Sequence, residues 1–276
     1  MTDPYAGIAA HYSPQGLYET ILAALKQAGK DMERLTPDDL APVDEFHTRG
    51  HAVTVEMANA AGLRSAERVL DLGSGIGGPS RWLAKTFGCR VTGIDLSEEF
   101  CRTANALSRL LGLDGLTEYR QGNALDLPFP EGTFDLVWSQ NVSMNIGDRP
   151  RLYGEIRRVL KPGGRYAFSD IVELSGEPLR FPVPWASEPG HSFLRTAQAT
   201  RDALEQAGLR VLRWDDTTAQ AIAVRRKQAK PAAGPPPLAL HMVLGPDFAA
   251  KIANSAWALE TGRLGAVQAV AQRTQR

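Results

Sequence analysis

The sequence carries little that would tie it covalently or electrostatically to a partner. Two cysteines, Cys89 and Cys101, stand among 276 residues, too few for a disulfide framework or a thiolate metal cluster. Neither sign of charge is in surplus, with 31 Lys and Arg against 31 Asp and Glu. Nucleic-acid affinity draws on cations displacing counterions, so a neutral chain argues against it. No apolar run nears the ~18 residues of a membrane span. The start, MTDPYAGIAAHYSPQ, lacks the basic and then apolar order of a secretory signal. No His, Cys, Asp and Glu spacing reads as a metal site. A soluble protein in a reducing, cytoplasmic setting is expected. What is present is 43% hydrophobic residues, enough to bury a sizeable core, in a length equal to one or two domains of ~150 residues.

Between residues 66 and 216, short β-rich runs alternate with helical patterns, which predicts helices packed on a parallel sheet. The spacing predicts strands at Arg68–Leu72, Cys89–Asp95, Leu116–Gly122, Phe134–Ser139 and Arg165–Val172. Helices are expected around Arg81–Thr86, from Ser97 as a hydroxyl cap to Leu111, and from Arg149 to Leu160, stopped by Lys161-Pro162-Gly163-Gly164. Nine of the 18 prolines fall between Ser175 and Pro246. Proline cannot serve central strands, so loops dominate there, with PAAGPPP the most linker-like stretch. That region still holds a helix at Thr196–Ala207 and a strand at Leu209–Asp215. A helix at Pro246–Glu260 and a last strand at Arg263–Gln272 follow, and Tyr18–Lys30 and His51–Ala61 read as helices before the core. The division expected is a helical cap segment at 1–65, a core at 66–216, a cap insertion at 217–262, and the last core strand with the C-terminus at 263–276.

The strongest motif runs Asp71, Leu72, Gly73, Ser74, Gly75, Ile76, Gly77, Gly78, directly after a strand and before a helix. Glycines permit a tight turn and let a ligand approach the main chain beyond a strand's carboxyl end. Asp95 ends the next strand, placed to accept hydrogen bonds from two ribose hydroxyls. Gly73, Gly75 and Gly78 also satisfy the dinucleotide spacing GxGxxG. Against that reading, Asp71 stands where a pyrophosphate would be repelled and an ammonium group attracted.

With these motifs, residues Arg68 to Asp170 resemble the class I S-adenosylmethionine-dependent methyltransferases of the small-molecule type. VLDLGSGIG resembles the family's first motif, IDLS its second, FDLVWSQ its fourth, and RRVLKPGG its turn before the fifth strand. The resemblance implies an α/β, Rossmann-like, mostly parallel sheet of seven strands with the last antiparallel, helices on both faces and a discontinuous cap. It implies S-adenosyl-L-methionine as cofactor, held by Asp71, Gly73, Ser74, Gly75, Gly77, Asp95, Leu96, Asn123 and Ala124. Asn123 replaces the family's usual Asp, and its amide oxygen still accepts a bond from the adenine amino group. Gln140 and Asn141 follow the fourth strand, Gln140 on the cofactor side and Asn141 toward substrate. WSQNVSMNIGDR resembles the segment of sarcosine and dimethylglycine methyltransferases; phosphoethanolamine and quinone-precursor enzymes are similar too. Where the amine-methylating groups tend to carry histidine, this chain has Asn145, an amide that orients but takes no proton at pH 7.

His47 and Asn145 are the catalytic candidates, because the family pattern lays the turn around His47 over the cofactor. Tyr12, His51, Asn141, Trp185, His191 and His241 are the substrate candidates. Aromatic residues Phe181, Trp185 and Phe193, with Met242, wall an apolar acceptor or favour a cationic one, and serve equally well as packing. The run Arg225-Arg226-Lys227 reads first as a solvated helix face, with contact to a phosphate or carboxylate as the alternative. Neither cysteine has a reason to be nucleophilic. The expected enzyme moves a methyl group to a small organic acceptor at O, N or C by direct displacement, a reaction that needs alignment more than a signature dyad. Two alternatives stay open, an NAD(P)-dependent oxidoreductase and a non-catalytic cofactor-binding protein. The expected partner is the small acceptor, without nucleic acid or membrane, and a homodimer is the assembly left open.

Overall fold

The computed structural model describes residues 16–45, 47, 49–228 and 237–275. Tyr12 and all but the last proline of PAAGPPP lie outside these.

Seven strands form one sheet in the order β3-β2-β1-β4-β5-β7-β6: β1 Arg68–Leu72, β2 Arg90–Asp95, β3 Thr117–Gln121, β4 Phe134–Gln140, β5 Leu160–Glu173, β6 Leu209–Asp216 and β7 Leu264–Arg273. β7 lies between β5 and β6 and runs antiparallel to both, while β1 to β5 pair in parallel. This is the expected fold class. The chain builds β2 and β3 on one side of β1, then crosses to lay β4 on its other side. The crevice beyond the ends of β1 and β4 is therefore the place where a ligand binds in such sheets.

Alternation along the strands decides what each face meets. In β4, Phe134 and Val137 join one buried cluster, with Leu152, Tyr153 and Ile156 of α6 (Arg149–Val159) and Leu204 of α7 (Ala197–Gln206). Leu136 and Trp138 join the opposite one, with Met57 and Ala58 of α3 (His51–Ala61) and Leu83 and Ala84 of α4 (Gly78–Phe87). The same alternation turns Asp71 of β1 toward α4, where Ser80 Oγ donates to its carboxylate at 2.6 Å.

Two lobes flank the strand ends. α1 (Leu17–Gln27) and α2 (Pro37–Asp44) pack Ile21, Leu25, Leu40 and Val43 against Phe100 and Leu107 of α5 (Glu98–Leu110) and Val243 of α9 (His241–Leu244). Opposite them, Ala221 of α8 (Thr218–Gln228) and Ala258 and Leu259 of α10 (Phe248–Glu260) pack with Met144, Ile171, Val183 and Trp185. Among the described residues no helix is long and apolar enough to cross a membrane, and no group of three or more His, Cys, Asp and Glu could hold a metal ion.

Three differences from the sequence reading have physical causes. Lys161–Gly164 does end α6, but the run stays inside β5 as a bulge opposite Phe134 and Leu136. Gly163 has φ 75°, and a Cβ on Gly164 would lie 2.9 Å from the Lys161 carbonyl oxygen, so the bulge needs its glycines. The helix expected at Pro246–Glu260 is α10, beginning at Phe248, but a short helix that was not expected, α9, precedes it, the two being separated at Gly245 with φ 78°. α2 was not anticipated, although Thr36-Pro37-Asp38-Asp39 is a start signal: Asp39 Oδ2 accepts the Thr36 backbone N–H at 2.8 Å. Ser97 caps α5 as expected, accepting the Phe100 N–H at 3.2 Å.

Candidate active site

The loop after β1 is held open by three left-handed glycines, Gly73, Gly75 and Gly77, with φ of 64°, 54° and 84°. A side chain at Gly73 would meet Val142 Cγ2 at 2.5 Å, so this loop and the one after β4 lie against each other at the crevice. The Gly73 and Ser74 N–H groups donate to the Ile94 carbonyl, at 2.8 and 3.2 Å. Gly75 N–H donates to Asp95 Oδ2 at 2.9 Å, while Asp95 Oδ1 accepts Ser97 N–H at 2.9 Å. Each carboxylate oxygen keeps a further lone pair, and Asp95 lines a cavity at the loop.

Arg81 of α4 locks this end of the fold. Fully buried, it donates to both oxygens of Asp44 at 2.8 Å and to the Ile76 carbonyl at 2.7 Å. It thereby clamps α2 onto the glycine loop. Burial pushes the Asp71 carboxyl up to about 7, against the Ser80 hydrogen bond and helped by the charges of Asp95 and Glu45. Ser74 Oγ is buried without a hydrogen-bond partner.

One cavity runs from the glycine loop to the cap. Its lower part is lined by Asp71, Gly73, Ser74, Gly75, Asp95, Leu96, Asn123, Ala124 and Gln140, and its upper part by Met144, Asn145, Ile171, Trp185, Arg225 and Ser255, with His47 and Asn141 also in the wall. Most of the sequence candidates are thus brought together. Gly77 is not in the wall; its αL turn starts α4, with Tyr119 packed so closely that a Cβ would lie 2.5 Å from the ring. Asn123 Oδ1 accepts Leu125 N–H at 2.9 Å, leaving one lone pair for a ligand. His191 and His241 do not line the cavity; His241 packs edge-on against Phe248. His51 also lies outside it, edge-on to Trp82.

The upper wall is set by main-chain ties. Asn145 Nδ2 donates to the Trp185 carbonyl at 2.6 Å and to that of His191 at 3.4 Å. Trp185 Nε1 donates to Ser192 Oγ at 2.9 Å. Asp170 accepts the Val142 and Ser143 N–H groups and the Ser143 hydroxyl, fixing the turn in which Asn141 takes φ 56°.

One residue escaped the sequence reading and another was given the wrong setting. Glu45 is buried between two histidines, its Oε2 3.0 Å from His47 Nδ1 and its Oε1 3.0 Å from His51 Nδ1. Thr54 Oγ1 also donates to Glu45 Oε2 at 3.2 Å, and Gln140 Nε2 donates to Thr54 Oγ1 at 3.3 Å. Burial raises the Glu45 carboxyl, but the hydrogen bonds and charges of His47 and His51 outweigh it and hold it below its ordinary value. The carboxylate is ionised and fixes the proton of His47 on Nδ1, leaving Nε2 as the basic atom. The spacing Glu45, His47, His51 was the available signal. The other residue is Arg225, which corrects the solvated-face reading: Arg226 and Lys227 are exposed, but Arg225 is buried in the cavity wall. Both cysteines are buried and free, with burial pushing Cys89 up to about 11 and Cys101 up to about 12, so neither is a nucleophile.

Residues 70–168 match the family described as "Methyltransferase domain". Over 129 residues the chain is 40% identical to the glycine/sarcosine/dimethylglycine N-methyltransferase of Actinopolyspora halophila, which covers 47% of this chain and 23% of that protein. Over 200 residues it is 31% identical to the sarcosine/dimethylglycine N-methyltransferase of Halorhodospira halochloris, covering 71% of this chain and 70% of the relative. The chain therefore spans less than a quarter of the first relative's length. Its fold is similar to that of geranyl diphosphate C-methyltransferase from Streptomyces coelicolor A3(2), with a TM-score of 0.67, 22% identity, and coverage of 81% of this chain and 80% of that one.

Proposed function

We propose that this chain, which belongs to the class I S-adenosylmethionine-dependent methyltransferase family, transfers a methyl group to a small organic acceptor held under its cap. The observation that carries the reading is the single cavity that joins the glycine loop and Asp95 to the cap wall of Met144, Ile171 and Trp185. The donor set fits the cofactor. Asp95 keeps one lone pair on each oxygen for a ribose diol, and Asp71 is a buried acid suited to an ammonium group. The orphaned Ser74 hydroxyl lacks only an acceptor such as a carboxylate. When bound, S-adenosylmethionine supplies a methyl group activated by its sulfonium.

The chain's own task is alignment and exclusion of water. Trp185, Met144 and Ile171 wall the acceptor, and Asn145 holds the Trp185 segment over it. An acceptor that enters as a hydroxyl or protonated amine must also lose a proton, and His47 Nε2 takes it. Glu45 holds the ring in the required tautomer and stabilises the imidazolium that forms. An acceptor that arrives deprotonated needs no such step. A reducing, cytoplasmic setting suits the two free thiols, and the balanced charge suits a small-molecule partner over nucleic acid.

Calorimetry with S-adenosylhomocysteine and NADH tests the cofactor. Release of S-adenosylhomocysteine over a panel of amines, phenols, acids and prenyl compounds tests the transfer. Heat with NADH alone would overturn the reading.

A further inference from the structure

Glu45 serves an inner and an outer imidazole at once. It caps the end of α2, and His51 opens α3. On one side of the carboxylate stands His47, in the wall of the main cavity, with 7% of its side chain exposed. On the other stands His51, 35% exposed, in a separate small recess with Glu45, Asp38, Asp44, Gly78 and Trp82. Each oxygen has its own ring, Oε2 with His47 Nδ1 and Oε1 with His51 Nδ1, both at 3.0 Å. Trp82 of α4 meets the His51 ring edge-on at 4.9 Å. Most other charges around the three are matched: Asp44 by Arg81, and Arg49 by Glu56 of α3. Asp38 of α2 is exposed, and Asp71 of β1, which feels the charge of Glu45, stands on the cavity side. Thr54 of α3, itself bonded to Gln140 of β4, adds a neutral hydrogen bond on the His47 oxygen. One negative charge neutralises one imidazolium in full, and a second proton arrives against the field of the first.

We propose that His51 is a positioning residue of the reaction: through the carboxylate it shares with His47, the outer ring governs when the inner ring accepts a proton. This rests on the methyltransferase reading, in which His47 Nε2 takes the acceptor's proton, and deepens it. With His51 neutral, its Nδ1–H holds Oε1 in place, and the whole charge of Glu45 is left to stabilise an imidazolium at His47. When solvent delivers a proton to His51 Nε2, that charge is divided between two cations, and His47 becomes a weaker base. Acid thus silences the inner base from outside the cavity, with no contact between His51 and the acceptor.

The test is a pH titration of the full chain by nuclear magnetic resonance, with nitrogen-15 in the histidine rings. His47→Gln and His51→Phe assign the two signals among the five histidines. The neutral form of each ring should carry its proton on Nδ1. His51→Phe keeps an aromatic edge for Trp82 and removes the charge, whereas His51→Lys leaves a lasting cation beside Glu45. The His47 midpoint should be highest in the Phe variant and lowest in the Lys variant, about half a pH unit or more apart, with the parent between. A ring that only packs would not order the midpoints by charge. Should a variant fail to fold, the parent gives its own reading, because each coupled ring titrates in two steps. Equal or reversed His47 midpoints in the two variants, or independent single-step curves in the parent, overturn the proposal. A chain that gives no heat with S-adenosylhomocysteine fails the methyltransferase reading instead, while the histidine titrations still decide the coupling.

Discussion

Glu45 Oε2 lies 3.0 Å from His47 Nδ1, and both side chains are buried at the edge of the cavity. A buried carboxylate that orients an imidazole makes the two act as one unit, so their losses should not add. His47→Gln should lower kcat about 10²–10⁴-fold for an acceptor that must lose a proton. Glu45→Gln should lower it less, and the double variant no further than His47→Gln alone. S-adenosylhomocysteine affinity should hold throughout. Full additivity of the two losses would show that His47 and Glu45 act separately.

Asp71 links pH to both stability and binding. Its folded-state value is raised, to about 7, so between about pH 4 and 7 the folded protein holds a proton that the unfolded chain has released. Stability from this group therefore falls as pH rises through that window. Asp71→Asn keeps an acceptor for Ser80 and removes the buried charge. At about three pH units and ~1.4 kcal/mol each, it should stabilise the empty protein by up to about 4 kcal/mol at pH 8. At pH 5 the gain should be smaller, about 1.5 kcal/mol, and it should vanish near pH 3. The same change should weaken S-adenosylhomocysteine, whose ammonium loses its counter-charge. Melting curves from pH 5 to 8.5 read the first effect and calorimetry the second; a stability gap independent of pH would exclude Asp71 as its source.

Asp95→Ala should cost roughly 1.5–3 kcal/mol of cofactor affinity, the range for hydrogen bonds to a charged group. It also frees the Gly75 and Ser97 N–H groups, so Asp95→Asn, which keeps acceptor oxygen, should lose less. An unchanged dissociation constant for both would remove Asp95 from the ribose site.

Arg81→Met leaves the Asp44 carboxylate buried beside α4 without its bidentate partner. Breaking one side of such a pair costs about 3–5 kcal/mol, read as a lower denaturation midpoint. Asp44→Asn with Arg81→Met should recover part of that loss. A single variant as stable as the parent would mean that the clamp does not hold α2.

The core was legible because its signals are local and periodic. The sheet's β-rich runs, the glycine turn and the Ser97 cap each announce themselves within a few residues, and Asp95 follows from its position at a strand end. What was not legible depends on distant partners. Arg225 sits in a run of three cations that reads as solvent-facing, and only packing of α8 against α10 turns its first member inward while Arg226 reaches Glu260. His191 and His241 share the cap with Trp185, yet the proline-rich chain carries no periodicity that tells which of the three faces the cavity. Glu45 was passed over because its meaning comes from two histidines, one of them across a turn.

The insertion of β7 between β5 and β6 has a consequence for synthesis. Among the described residues β6 finds its sheet partner only in β7, whose residues leave the ribosome after more than two hundred others. Until Arg273 has emerged, two strand edges stand open on the nascent chain, a template for pairing with other chains. Chaperone engagement late in translation, and insoluble product from any transcript cut short before Leu264, should accompany production of this protein.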